Sequence, residues 1–249
     1  MIAVRARVRR LGIAWTSSLV LGTLAFVLAW TAHRQIPQAL PLEELSYYPS
    51  GQFLKPATLG HSETAADLAW LRAVQYYGEH RQKDNRFDHM PHVFDILTSL
   101  APGFLQAYVF GGFAMAQEGN RFADAEALML KGIRANPRSG QLAFELGFLY
   151  YVRTGGRDLQ RAAEAFELAA RQPDAPPQAA RFAAFARQNS GDLQVAYLMW
   201  ENVQRSSNNV YLREMAERKM AEIRFALARN RPDLAVRKLA TPRVLMLRK

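Results

Sequence analysis

A pattern of small and large side chains returns at a fixed interval, and it constrains the fold more than any other feature of the chain. Ala162-x3-Phe166-x2-Ala169 recurs 34 residues later as Ala196-x3-Trp200-x2-Val203, and Ala125-x3-Met129-x2-Gly132 is a looser earlier copy. Upstream of each copy stands another small residue, at Gly112, Gly147 and Ala184, with intervals of 35 and 37 residues. Pro102, Pro137 and Pro173 close successive segments 35 and 36 residues apart. Between these marks the apolar residues keep a helical period with almost no strand-like alternation. Two helices per unit of about 34 residues predict a stack of helical hairpins, because one such unit cannot bury its apolar face alone.

The run Leu146-Gly147-x2-Tyr150, a turn, Ala162-x3-Phe166-x2-Ala169 and then Pro173 resembles the tetratricopeptide (TPR) repeat family over about residues 60–230. Residues 65–78 are similar to the opening helix of membrane-anchored bacterial TPR proteins. The resemblance implies an all-α, TPR-like helical-hairpin solenoid that acts by protein–protein contact. Three units are expected, at 103–137, 138–173 and 177–208, after an irregular hairpin at 63–101 with a long connection at 79–88. A terminal helix over 210–229 would cap the stack. Gly147 is expected to face Ala162 closely while Phe166 fills the space toward the next unit. The turn at 153–157, with Gly155 and Gly156, absorbs three extra residues.

Ahead of the repeats, residues 11–32 run 22 positions without a charge, about 33 Å of helix and near the hydrocarbon thickness of a bilayer. Trp15 and Trp30 mark its ends, as interfacial indoles do. The positions three before Ala32 and Ala39 are Trp30 and Pro37, which disfavour cleavage after a small-x-small motif. The expectation is an uncleaved transmembrane signal anchor; a removed signal peptide and a buried core helix are the alternatives. Arg5, Arg7, Arg9 and Arg10 precede the run, so residues 1–10 read as a basic cytoplasmic N-terminus in the inner (cell) membrane. The solenoid would then be periplasmic. Residues 33–59 read as a linker, and 231–249 as a basic tail able to touch anionic headgroups.

Charge supports this division. The net +10 sits at the two ends, whereas residues 35–230 hold 21 basic and 21 acidic side chains. A neutral body argues against nucleic-acid binding, which depends on clustered cations that displace condensed counterions. The absence of cysteine excludes disulfides, thiol nucleophiles and Cys-ligated zinc or iron–sulfur centres.

First helices of stacked hairpins line one face of a TPR-like solenoid, so the phase of the small residues assigns a groove. Phe113, Phe148 and Phe185 directly follow Gly112, Gly147 and Ala184. Val109, Phe144 and Arg181 lie three residues before them, and Tyr151 and Gln188 lie four after the last two. With Gln106, these nine residues form the expected partner-binding groove, suited to an apolar or amphipathic segment of a protein. Two arrangements remain open: rings exposed to a partner, or rings covered by superhelical packing or by residues 40–53.

Catalytic chemistry finds little support. His80, Asp84, Asp88, His89, His92 and Asp95 form a His/carboxylate cluster, but Pro91 interrupts His89-x2-His92 and places His92 in a first helical turn. No Gly-rich phosphate loop or Ser-His-Asp ordering is present. The sequence points to a non-enzymatic protein without metal, cofactor or small-molecule substrate. Its expected role is a scaffold or assembly factor for a membrane or envelope complex. A permanent accessory subunit of such a complex and, more remotely, a metal-dependent enzyme at His89 and His92 are the rival functions.

Overall fold

The computed structural model describes residues 2–35 and 49–236, apart from the side chains of residues 2–14, 32, 33, 35 and 52. The described residues are helical and turn throughout, with no strand among them. They fall into two units, residues 1–47 and 48–249.

The first unit is built on α1 (Ile2–Gln35). Its described side chains over 15–31 are all exposed, while Thr23 and Thr31 donate their hydroxyls to the carbonyls of Leu19 and Leu28. No helix among the described residues is long and apolar enough to cross a membrane. The expected span at 11–32 is therefore not supported.

The second unit runs α2 (Gly51–Ala57), α3 (Ser62–Lys83), α4 (Met90–Leu100), α5 (Leu105–Gln117), α6 (Phe122–Ala135), α7 (Gly140–Tyr151), α8 (Leu159–Ala170), α9 (Ala179–Ser190), α10 (Leu193–Ser206) and α11 (Val210–Ala228). From α3 onward each helix packs chiefly on its neighbours in sequence, and α5 also meets α7. This is the connectivity of an α-solenoid-like array. The three expected units coincide with the hairpins α5/α6, α7/α8 and α9/α10.

The columns that carried the period are the core of the hairpins. Ala125, Met129, Ala162, Phe166, Ala169, Ala196, Trp200 and Val203 are all buried. A Cβ placed on Gly147 would lie 2.6 Å from the Phe166 ring, so glycine is required there for α7 and α8 to close. The expected Gly147–Ala162 face is thus a glycine–ring contact: Phe166 fills the hairpin itself. Gly112 repeats the arrangement, its Cβ position 3.0 Å from Met129 Cγ.

Polar ties recur near the same interval. Asn136 Nδ2 donates to the Pro102 carbonyl at 2.8 Å, the Gly140 N–H donates to Asp174 Oδ1 at 2.6 Å, and Arg161 reaches Glu126 at 2.9 Å. These bonds span 34, 34 and 35 residues; the first two close the ends of the α5/α6 and α7/α8 hairpins, and the third fastens α8 to α6 of the preceding hairpin. Ser139, Asp158, Asp192 and Asn209 cap α7, α8, α10 and α11 by accepting from the backbone N–H three residues on. Such caps contribute about 1 kcal/mol each.

Three boundaries depart from the sequence reading. The 33–59 linker contains helix α2, which packs on α4, where Gly51 sits so close to Ser99 and Ile96 that no side chain would fit. Helix α3 continues to Lys83 through what reads as connection, closed by the Asp84 N–H donating to the His80 carbonyl. The 231–249 tail begins with a 3-10 turn, Pro232–Leu234, followed by buried Ala235; residues 237–249 lie outside the described residues.

Candidate partner-binding groove

The first helices of the hairpins carry aromatic rings that meet across neighbouring hairpins. The rings of Phe113 (α5) and Phe148 (α7) lie 6.1 Å apart, and Phe148 stacks on Tyr151 at 6.2 Å. Tyr151 in turn meets Phe182 and Phe185 of α9, each at 6.2 Å. Every ring of this ladder is half-buried, with one edge packed and the other in solvent. At its C-terminal end the ladder opens into a hollow of about 270 Å³ lined by Tyr151, Arg181, Phe182, Phe185, Trp200 and Met215. Trp200, at 1% exposure, is its floor.

Of the nine expected residues, Tyr151, Arg181 and Phe185 line the hollow and Phe113 and Phe148 belong to the ladder. Val109 is half-buried and Gln106 exposed on α5. Phe144 and Gln188 are not groove residues. Phe144 is 7% exposed and packs on Phe166 at 5.2 Å and Phe182 at 5.5 Å, because the missing side chain at Gly147 draws the Phe166 ring toward α7.

Gln188 is 2% exposed. Three residues advance a helix by about 300°, so it stands some 60° round from Phe185, on the side covered by α10 and α11. There its Oε1 accepts from Trp200 Nε1 at 2.9 Å and its Nε2 donates to the Ala235 carbonyl at 2.8 Å, joining α9, α10 and the segment after α11. Both hydrogen-bonding ends of a buried amide are satisfied, as burial demands.

Sequence reasoning missed Phe182 and Met215. Phe182 was legible as the i, i+3 partner of Phe185. Met215 was not, because it arrives from α11, which reads only as a cap. Of the alternative cover, residues 40–48 lie outside the described residues and Phe53 is 72% exposed.

Two guanidiniums accompany the rings. Arg157 Cζ lies 5.0 Å from the centroid of Tyr151, and Arg181 Cζ lies 5.2 Å from that of Phe182. Such cation–π contacts contribute roughly 0.5–1 kcal/mol each at exposed sites. On α7, burial pushes the Glu145 carboxyl above its usual range, partly offset by Gln141 Nε2 donating at 2.5 Å.

The His/carboxylate cluster is spent on local structure. His80 Nδ1 sits 2.6 Å from Asp84 Oδ1, and the Arg86 N–H bonds Asp84 at 3.0 Å, which together hold its carboxyl below the usual range. His89 stands at the N-cap position of α4 without a side-chain capping bond, and its N–H donates to the Tyr76 hydroxyl oxygen at 3.2 Å; His92 falls in the first turn after Pro91, as its sequence position implies. Among the described residues no three His, Asp or Glu side chains converge as metal ligands. Comparison of the chain with protein-family profiles, curated proteins and solved structures finds no match.

Proposed function

We propose that this chain is a TPR-like scaffold or assembly factor that holds a protein partner along the face of α5, α7 and α9. The observation that carries the reading is the aromatic ladder from Phe113 to Phe185, half-exposed and ending in an open hollow. Aromatic anchors of low conformational freedom are what a protein partner's apolar side chains bury most effectively. Membrane attachment through residues 11–32, with the solenoid on the periplasmic side, belongs to the same proposal. Its support is the uncharged sequence, the exposed Trp15 and Trp30, and threonine hydroxyls satisfied within α1.

The test is capture of partner by intact protein with Phe148→Ala and Phe185→Ala combined. Capture should fall while far-UV circular dichroism stays unchanged; equal loss of helicity and capture would make the rings core and end the reading. Flotation of the intact protein with liposomes, lost on deleting residues 1–35, tests the attachment.

A permanent accessory subunit is the second reading. It is favoured by another apolar hollow, of about 390 Å³, between α8, α9 and α10, beside Leu198 at 61% exposure. A subunit copurifies stoichiometrically in detergent, whereas an assembly factor does not.

A further inference from the structure

The chain leaves its last long helix on the groove side. In the α5/α6 hairpin the residue that opens the second helix, Phe122, meets Tyr150 of the following hairpin at 5.9 Å. After α11 the chain turns the other way, back onto α9: the Ala235 carbonyl accepts from Gln188 Nε2 at 2.8 Å, and Val236, like Phe185, packs against the core of the last three helices. Leu234, Ala235 and Val236 line a hollow of about 280 Å³ together with Phe185 of α9 and with Lys219 and Glu222 of α11. Phe185 is also a wall of the aromatic hollow, and Met215, which borders that hollow from α11, stands four and seven residues before Lys219 and Glu222. Those intervals keep the three on one side of α11, so the two hollows are neighbouring parts of one furrow between α9 and α11. From Asn189 in the one to Arg181 in the other it follows eight residues of α9, about 12 Å.

The described chain thus ends in one hollow, a short step from the other, with 13 residues after Val236. Among them Val244, Leu245, Met246 and Leu247 form an uninterrupted apolar run. At roughly 3.3 Å per extended residue, the eight steps from Val236 to Val244 reach up to about 26 Å, twice what the furrow requires. A tethered segment meets its site at an effective concentration on the order of millimolar, so a modest apolar fit suffices to fill it. Arg243 and Arg248 bracket the run, and such side chains lay their methylenes along apolar surface while the charged heads stay in water. Resting on the groove reading above, we propose that the chain's own residues 237–249 fold back along this furrow and seat Val244, Leu245, Met246 and Leu247 in the aromatic hollow, closing the groove until a partner displaces them.

The experiment uses the absence of cysteine from the chain. Full-length Leu245→Cys carries a single thiol, which is coupled to benzophenone maleimide, irradiated and mapped by mass spectrometry. Crosslinks should form within one molecule, independently of protein concentration, at Tyr151, Phe182, Phe185 or Met215. They should be lost when Val244→Ser, Met246→Ser and Leu247→Ser are added, changes that leave the helical body untouched, and partner capture by that serine variant should rise. Crosslinks elsewhere on the body, between molecules or only to lipid would overturn the proposal, as would crosslinks that survive the serine replacements or capture that does not rise. The groove reading is judged separately: if Phe148→Ala with Phe185→Ala still abolishes capture, it stands whatever the tail does.

Discussion

The second and third hairpins are built to one plan and divide its volume differently. In α7/α8 the first helix contributes no side chain at Gly147 and the second contributes a phenyl ring at Phe166; in α9/α10 the first contributes the methyl of Ala184 and the second the larger indole of Trp200. The indole also brings a buried N–H, and Gln188 meets it. The contact between Gly147 and Phe166 in α7/α8 is thus sealed by shape alone. The α9/α10 hairpin is sealed by shape plus one hydrogen bond that passes on to Ala235. A polar core residue here does structural work at a position where helical phase alone suggests a binding surface.

The largest test of this contrast is Trp200→Ala, which removes the floor of the hollow and the center of the C-terminal core. A loss of about 3–5 kcal/mol is expected by chemical denaturation, as for other buried aromatic truncations. Gln188→Ala should cost about 1–3 kcal/mol by orphaning Trp200 Nε1, and should speed amide exchange at residues 232–236. An unchanged exchange rate would show that the segment is held by other contacts.

Gly147→Ala follows, at about 1–2 kcal/mol destabilising in the same denaturation assay. Overpacking against Phe166 outweighs the roughly 1 kcal/mol of helix propensity gained. Gly78→Ala is its control: its Cβ meets nothing within 4 Å, so that variant should gain about 0.5–1 kcal/mol. If both variants stabilise, the close approach of α7 and α8 is not real.

The smallest effect tests the polar tie from α7 to α6 of the preceding hairpin. Burial, then the hydrogen bond to Glu126, pushes the Tyr150 phenol up to about 12 from its ordinary 10. Because the folded value is the higher one, its contribution is complete below pH 10 and is lost as pH rises from 10 to 12. Tyr150→Phe should cost about 1 kcal/mol at pH 7 and flatten stability across that window.

Several elements were readable before any coordinates. The 34-residue interval placed three hairpins because buried small and large residues must recur when identical units stack, and those columns are the core observed. The long turn at Gly155 and Gly156, both with positive φ, also follows from residue chemistry. The groove was legible only in part. Phe113, Phe148, Tyr151 and Phe185 shared a phase, but phase fixes a direction from one helix axis and says nothing of what another helix places there.

By itself, then, the sequence determined that the body is helical and which columns fill its paired helices, because these depend on periodicity and local chemistry. Only the tertiary structure decided that Phe144 and Gln188 turn inward and that Met215 crosses from the last helix into the hollow. Those outcomes depend on side chains far apart in the chain, whose meeting is set by how closely neighbouring hairpins pack rather than by any residue's own preference.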